Sequence, residues 1–167
     1  MPNFPDVDVL LARLIDALKP HITDSTALVG IHTGGAWLAE RLHRALGIKP
    51  PLGTIDVAFY RDDYGERSLH PQLRRSDIPF DMQDTPIILV DDVLFTGRTT
   101  RAALNELFDY GRPARIDLAV LVDRGERELP IAPRFCAHTL PAPLGKGQRL
   151  RLEKSDDATL SLRLIDV

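Results

Sequence analysis

The sequence predicts an α/β fold with a central, mainly parallel sheet flanked by helices. Three observations lead there. Apolar runs at Ala27–Ile31 and Ile87–Val90, and a run at Ile116–Val122 that is apolar but for Asp117, read as strands buried on both faces, as parallel sheets require. Stretches with apolar residues at helical spacing lie between them, so helix and strand alternate along the chain. At 167 residues the chain is the size of one domain with a substantial core.

From Asp6 to Lys19, Val9, Leu10, Ala12, Leu14, Ile15 and Leu18 fall at helical spacings, with Asp6 as cap and Pro20 as stop. Ala27–Ile31 follows as a short buried strand and runs into the loop His32-Thr33-Gly34-Gly35. The next helix carries Trp37, Leu38, Leu42, Ala45 and Leu46 on one face, with Gly47 just past its end. Pro50-Pro51 breaks the chain, and Thr54–Tyr60 alternates as a strand does. Residues 61–80 are charged and poor in core residues, the composition of a lid. Ile87–Val90 ends in Asp91-Asp92, and a helix from Thr96-Gly97-Arg98 to about Tyr110 turns Ala103, Leu104, Leu107 and Phe108 inward. Ile116–Val122 ends in Asp123-Arg124-Gly125, and short strands flank a turn at Ser155-Asp156-Asp157.

Composition excludes several classes of function. The net charge of −3 argues against generic coating of nucleic acid, although a local basic patch stays open. Cys136 is the sole cysteine, which excludes an intrachain disulfide framework and Cys₄ or Cys₂His₂ zinc sites. The five histidines show no metal-ligand spacing. No apolar run approaches the ~20 residues that span a bilayer, and Met1–Asp6 does not read as a secretion signal. A soluble, cytoplasmic protein is the expectation.

The strongest chemical signal is Ile87–Thr100, IILVDDVLFTGRTT. Two carboxylates close a buried strand, where open α/β sheets place ligands. A Thr-Gly-Arg-Thr-Thr turn then opens a helix, offering hydroxyls, backbone N–H groups and a helix N-terminus to a phosphate. Acids at one end and an anion cup at the other suit a sugar phosphate. The spacing does not match the G-x-x-x-x-G-K-[ST] loop of nucleotide triphosphatases.

This run resembles the phosphoribosyl pyrophosphate (PRPP) signature of type I phosphoribosyltransferases. With Tyr110–Ile131 (YGRPARIDLAVLVDRGERELPI) and Phe59–Asp63 (FYRDD), it resembles the PyrR family, over roughly Val29 to Pro141. Members are uracil phosphoribosyltransferases, some of which also bind pyrimidine-operon mRNA. The resemblance implies one phosphoribosyltransferase domain over residues 1–167, with a flexible lid at about 61–80 and a small hood from about residue 132. It implies the reaction of uracil with PRPP to give UMP and pyrophosphate. Asp91 and Asp92 would hold the ribose hydroxyls, Asp91–Thr100 (with Val93, Leu94, Phe95, Thr96, Gly97, Arg98 and Thr99) would form the PRPP loop, and Thr96–Thr100 would bind the 5′-phosphate. Thr33, Gly34, Gly35 and Arg124 would meet pyrophosphate. Arg61 of the lid would join Asp91 and Asp92 in catalysis, and Asp123, Phe135 and Cys136 would border the base, with Phe135 stacked on it. Mg²⁺ would be held mainly through PRPP, near Asp91 and Asp92.

Each assignment has a plainer counterpart. The Gly-Gly turn also serves as an ordinary strand-to-helix connection, the lid as a solvated arm, Phe135 as core and Cys136 as a small buried hydrophobe. Gly34 departs from the family, in which many members carry arginine. Phe95 cannot exchange a proton, whereas relatives that salvage 6-oxopurines have an acid there. Phenylalanine therefore favours a pyrimidine. RNA-binding regulation is the rival reading, disfavoured because Arg13, Lys19 and His21 are the only basic residues of the N-terminal helix and its extension. Another base, xanthine or orotate, is a third. Finally, Leu11 falls off the stripe of Leu10, Leu14 and Leu18, and so wide an apolar arc requires burial on two sides. With the family resemblance, that leads to an expected homodimer or larger assembly.

Overall fold

A computed structural model describes residues 3–57 and 76–167. Helix α1 spans Val7–Leu18, capped by the Asp6 carboxylate, which accepts the Asp8 N–H at 2.8 Å. Pro20 sits in a single 3₁₀ turn at Lys19–His21 that carries the chain off the helix. Strand β1 (Ala27–Ile31), α2 (Gly34–Leu46) and β2 (Gly53–Ile55) follow, then β3 (Pro86–Leu94), α3 (Arg98–Asp109), β4 (Arg115–Asp123) and β5 (Phe135–Thr139). Strands β6 (Gln148–Lys154) and β7 (Leu160–Asp166) close the chain as an antiparallel hairpin.

The five strands β2-β1-β3-β4-β5 form one sheet in that order, every neighbour parallel. Alternate residues in the middle of each central strand enter different cores, which is why those middles are apolar. Ile88 and Val90 of β3 and Ala119 and Leu121 of β4 face α1, α2 and the β6–β7 hairpin. Ile87, Leu89, Leu118 and Val120 face α3 and the Ile78–Met82 stretch.

Several expectations change. Strand β3 runs through Asp91-Asp92 to Leu94, with Asp91 beside Val120 and Val93 beside Val122. The strand predicted over Thr54–Tyr60 is confined to Gly53–Ile55, and Ala58–Tyr60 lie outside the described residues. On α2, Ala39 takes the inward place expected of Ala45, which is exposed. On α3, Phe108 is 57% exposed while Leu107 is buried, because only one side of the helix meets the sheet. The wide apolar arc of α1 is buried on two sides within its own chain: Leu11 is 6% exposed, in one core with Phe135 of β5 and Leu150, Leu152 and Leu160 of the hairpin. That arc therefore lends no support to a partner chain. Among the described residues no helix is long and apolar enough to cross a membrane.

Candidate active site

Because the strands are parallel, the loops that follow β1, β3 and β4 emerge at one end of the sheet. There the structure brings together most of the residues singled out by sequence.

After β1, the chain turns through His32-Thr33, joined by a cis peptide bond, into α2. Gly35 lets the tip of this helix lie on the backbone of β3: a Cβ there would stand 2.4 Å from the Val90 carbonyl oxygen and 3.0 Å from Asp91 Cα. Gly34 lies under the second acid of β3, since a Cβ on it would stand 2.2 Å from Asp92 Oδ2. The two loops thus converge. The space where a side chain at residue 34 would begin is taken by a carboxylate.

Asp92 lies on the α2 side, against Gly34, while Asp91 pairs with Val120, whose side chain enters the α3 core. Asp91 is 5% exposed and its Oδ1 accepts the Asp92 N–H at 2.9 Å. Asp92 is half-buried, and its Oδ1 accepts the Val93 N–H at 2.8 Å. Val93 and Leu94 pack into the two cores and contribute no polar side chain to the site.

The turn opening α3 has Gly97 as its cap, at φ 94°, with no side chain capping the helix. The first N–H groups of a helix have no partner within it, and here they stand next to Thr96. Thr96 is buried, and its Oγ1 accepts the Arg98 N–H at 3.2 Å. The Arg98 side chain turns outward, with Nε 2.8 Å from Glu128 Oε2. Thr99 is half-buried. Thr100 lies on the flank of the helix, where its side chain lines a cavity of about 220 Å³ with Leu89, Leu104, Ile116 and Leu118.

At the end of β4, Arg124 is 8% exposed and its guanidinium lies 3.7 Å above the Phe95 ring. Its Nε and Nη2 donate to Glu126 Oε2 at 3.1 and 2.9 Å. The arginine expected to meet pyrophosphate is thus stacked and ion-paired. Asp123 accepts the Gly125 N–H at 2.9 Å and is gripped by both terminal nitrogens of Arg127. Burial pushes its carboxyl up, but the Arg127 hydrogen bonds, the Gly125 N–H and the arginine's charge outweigh this and hold it below the usual range. Neither Arg127 nor the Glu128 and Leu129 backbone stood out in the sequence.

Phe135 and Cys136 are not brought to this end. Phe135 pairs with Ala119 at the start of β5, and Thr139 with Asp123, so Phe135 sits about 13 Å back along the strand. It is 6% exposed, with the His21 ring edge-on at 5.2 Å, and belongs to the α1 core. Cys136 is half-buried one residue further on, and its thiol meets the His138 carbonyl at 3.3 Å. The base-stacking role drawn for Phe135 is withdrawn on this register. Residues 139–140 stand at the site instead, with the Leu140 N–H donating to the Asp123 carbonyl at 2.9 Å. Arg61 and most of the predicted lid, through Arg75, lie outside the described residues.

Comparison with known proteins accords with this geometry. Residues 6–137 match the family described as "Phosphoribosyl transferase domain". A "Bifunctional protein PyrR" of Pseudomonas aeruginosa is 50% identical over 154 residues, covering 90% of this chain and 89% of that protein. Another, from Nitrosococcus oceani, is 45% identical over 167 residues, covering 96% of this chain and 93% of that protein. The chain belongs to the PyrR family of phosphoribosyltransferases. The likeness extends well beyond Val29–Pro141 and includes the N-terminal helix. Among solved structures, a purine phosphoribosyltransferase of Pyrococcus horikoshii is 27% identical, with a TM-score of 0.61 over 82% of this chain and 84% of that one. A hypoxanthine-guanine phosphoribosyltransferase of Bacillus anthracis shares the fold at 14% identity, with a TM-score of 0.67 over 84% of this chain and 85% of that one. The central parallel sheet with its flanking helices is therefore a type I phosphoribosyltransferase fold.

Proposed function

We propose that this PyrR-family protein transfers the phosphoribosyl group of PRPP to uracil. The bond from C1′ to a pyrophosphate oxygen breaks, its electron pair leaving with pyrophosphate. The uracil N1 forms the new bond to C1′ and gives up its proton, yielding UMP. The observation that carries this reading is the convergence at one sheet end of the Asp91-Asp92 pair, the Thr96–Arg98 turn and the Gly34-Gly35 tip of α2.

Asp92 and Asp91 orient the ribose hydroxyls. The turn at Thr96–Thr100 holds the 5′-phosphate through backbone N–H groups and the Thr96 and Thr99 hydroxyls; Thr100 contributes its backbone alone. Thr33–Gly35 receives pyrophosphate with backbone N–H groups at a helix tip. The catalytic effect is chiefly positioning and stabilisation of the leaving group. Mg²⁺ fits the donor set, which is hard carboxylate oxygen. It would be carried mainly by PRPP, beside Asp92 and Asp91. When bound, it supplies charge neutralisation to the pyrophosphate.

Phe95 lends no proton, and Arg124 covers one face of its ring, which favours a pyrimidine over a 6-oxopurine. No described side chain is assigned as base toward uracil N1. The reading covers one phosphoribosyltransferase domain over residues 1–167, with a hood from about residue 132 that includes the C-terminal strands, acting in the cytoplasm. Purified protein with PRPP, Mg²⁺ and uracil should form UMP, with hypoxanthine, guanine, xanthine and orotate as controls. Preference for any control over uracil overturns the base assignment.

A second activity is favoured by the relatives' printed name, "Bifunctional". Binding of pyrimidine-operon mRNA is the candidate, with the exposed Arg13, Lys19 and His21 as its basic residues. Titration of a leader RNA at increasing salt tests it: a slope steeper than two or three phosphates supports a larger RNA surface than this helix provides.

A further inference from the structure

Arg127 joins three separate stretches of chain, and all three of its nitrogens donate. Nε donates to the Ile131 carbonyl at 2.8 Å, Nη1 to the Phe95 carbonyl at 2.8 Å and Asp123 Oδ1 at 2.9 Å, and Nη2 to Asp123 Oδ2 at 2.7 Å. Beside it, the Thr96 carbonyl accepts the N–H groups of Glu128 and Leu129 at 2.9 and 3.1 Å. Two consecutive carbonyls of the phosphate turn are therefore drawn toward the 127–131 segment. Ile131 also packs on the back of the turn, where a Cβ at Gly97 would stand 3.0 Å from its Cγ1.

In a planar trans peptide the carbonyl and the following N–H point in opposite directions. Drawing the Phe95 and Thr96 carbonyls to one side turns the Thr96 and Gly97 N–H groups to the other. Successive N–H groups aimed into a concavity make an anion site. The planar guanidinium fork is what allows one side chain to hold a carboxylate with two parallel bonds and two carbonyls besides. A lysine ammonium is a point charge and cannot reproduce that set.

We propose that Arg127 is a positioning residue for the 5′-phosphate. By fixing the Phe95 carbonyl against the end of β4, it holds the amides of the turn in their binding orientation before substrate arrives. Asp123 fixes Arg127 in turn, so its part is to brace the phosphate turn and not to contact the base. The proposal rests on the reading of Thr96–Thr100 as the phosphate cup.

Ribose 5-phosphate is the probe, titrated calorimetrically into the full-length protein, its Arg127→Lys variant and its isosteric Asp123→Asn variant. Loss of the fork should weaken ribose 5-phosphate about tenfold or more in Arg127→Lys, and less in Asp123→Asn. The KM for PRPP should rise by a similar factor while kcat at saturating PRPP stays within about twofold, as expected for loss of binding shared by ground state and transition state. Amide resonances of Thr96 and Gly97 should shift with most of the spectrum in place. A purely structural role would instead reduce kcat through the folded fraction and leave KM and the probe's affinity intact, and that result overturns the proposal. So does wild-type affinity in both variants. If Arg127→Lys does not fold, Asp123→Asn decides by the same criteria. Failure of the wild-type protein to bind ribose 5-phosphate is a distinct result, which removes the cup reading and the brace with it.

Discussion

Replacing Gly35 by alanine tests the closest approach in the site. The added Cβ would stand 2.4 Å from the Val90 carbonyl oxygen, 3.0 Å from Asp91 Cα and 3.2 Å from the Val90 carbonyl carbon. Carbon contacts relax at about 3.5–4.0 Å, so the tip of α2 has to lift by about 1 Å. The obstruction is backbone of a central strand paired on both sides, and no side chain can rotate to make room. Overpacking of this kind costs typically 1–3 kcal/mol, and the rigid partner puts Gly35→Ala at about 3 kcal/mol. A domain with a stability of about 5–15 kcal/mol stays folded under that load. The same 1 Å displacement separates Thr33–Gly35 from Asp92, and a misplacement of that size in an active site can cost about 100-fold in turnover. Urea unfolding followed by circular dichroism gives the first quantity. UMP formation in the folded range gives the second. An unchanged unfolding midpoint would show that α2 does not rest on β3 as described. Full turnover in a destabilised protein would show that the tip of α2 lies outside the reaction site.

Other outcomes follow from the same geometry. Asp91→Asn with Asp92→Asn should abolish PRPP turnover while the far-ultraviolet dichroism stays native; unchanged steady-state kinetics would sink the ribose-site assignment. The Asp123 carboxyl is held below its unfolded value, so its contribution to stability is complete above pH ~4 and is lost as pH falls through the lowered value. The stability difference between wild type and Asp123→Asn should therefore be constant from pH 7 to about pH 5 and shrink below pH 4, and a difference that grows on acidification contradicts this. Leu11→Ala should cost about 2–5 kcal/mol through a cavity between the sheet and the hairpin. It should leave the sedimentation coefficient of the folded protein unchanged, whereas dissociation of an assembly at native stability would return α1 to an interface.

What the sequence made legible, and what it did not, has physical causes. Strands β1, β3 and β4 were plain because burial on two faces leaves their central residues apolar, with Asp117 near the start of β4 the one exception in the three runs. The extension of β3 through Asp91-Asp92 was hidden, since acids ordinarily end a buried strand; here the end lies in the site and the carboxylates meet backbone N–H groups instead of core. The two-sided burial of α1 was legible in Leu11, but not its cover, which comes from a hairpin more than a hundred residues away. Phe108 fits the inward spacing of α3 as well as Leu107 does, and only the placement of the helix on the sheet distinguishes them. Phe135 went astray because its end of the sheet is fixed by the β4–β5 register, which local sequence does not encode. Arg127 was silent for a related reason: two of its acceptors are carbonyls, and one of those is Phe95, thirty-two residues back in the chain.

On the proposed reading, the charges around the Thr96–Arg98 turn bear on how a polyanion would be received. Arg98 pairs with Glu128, Arg124 with Glu126 and Arg127 with Asp123. Each of these arginines is matched by an acid from the same 123–128 stretch, so the group adds little net positive charge. Its cations are taken up in holding the chain together, and on the proposed reading anion binding would fall to backbone N–H groups at the tips of α2 and α3. Such donors are fixed in direction by the fold and need no reorganisation when charge moves onto pyrophosphate. On the same reading they would account for Gly34 without an arginine there: Asp92 occupies the adjoining space, and the α2 tip that carries Gly34 would offer main-chain donors in place of a guanidinium.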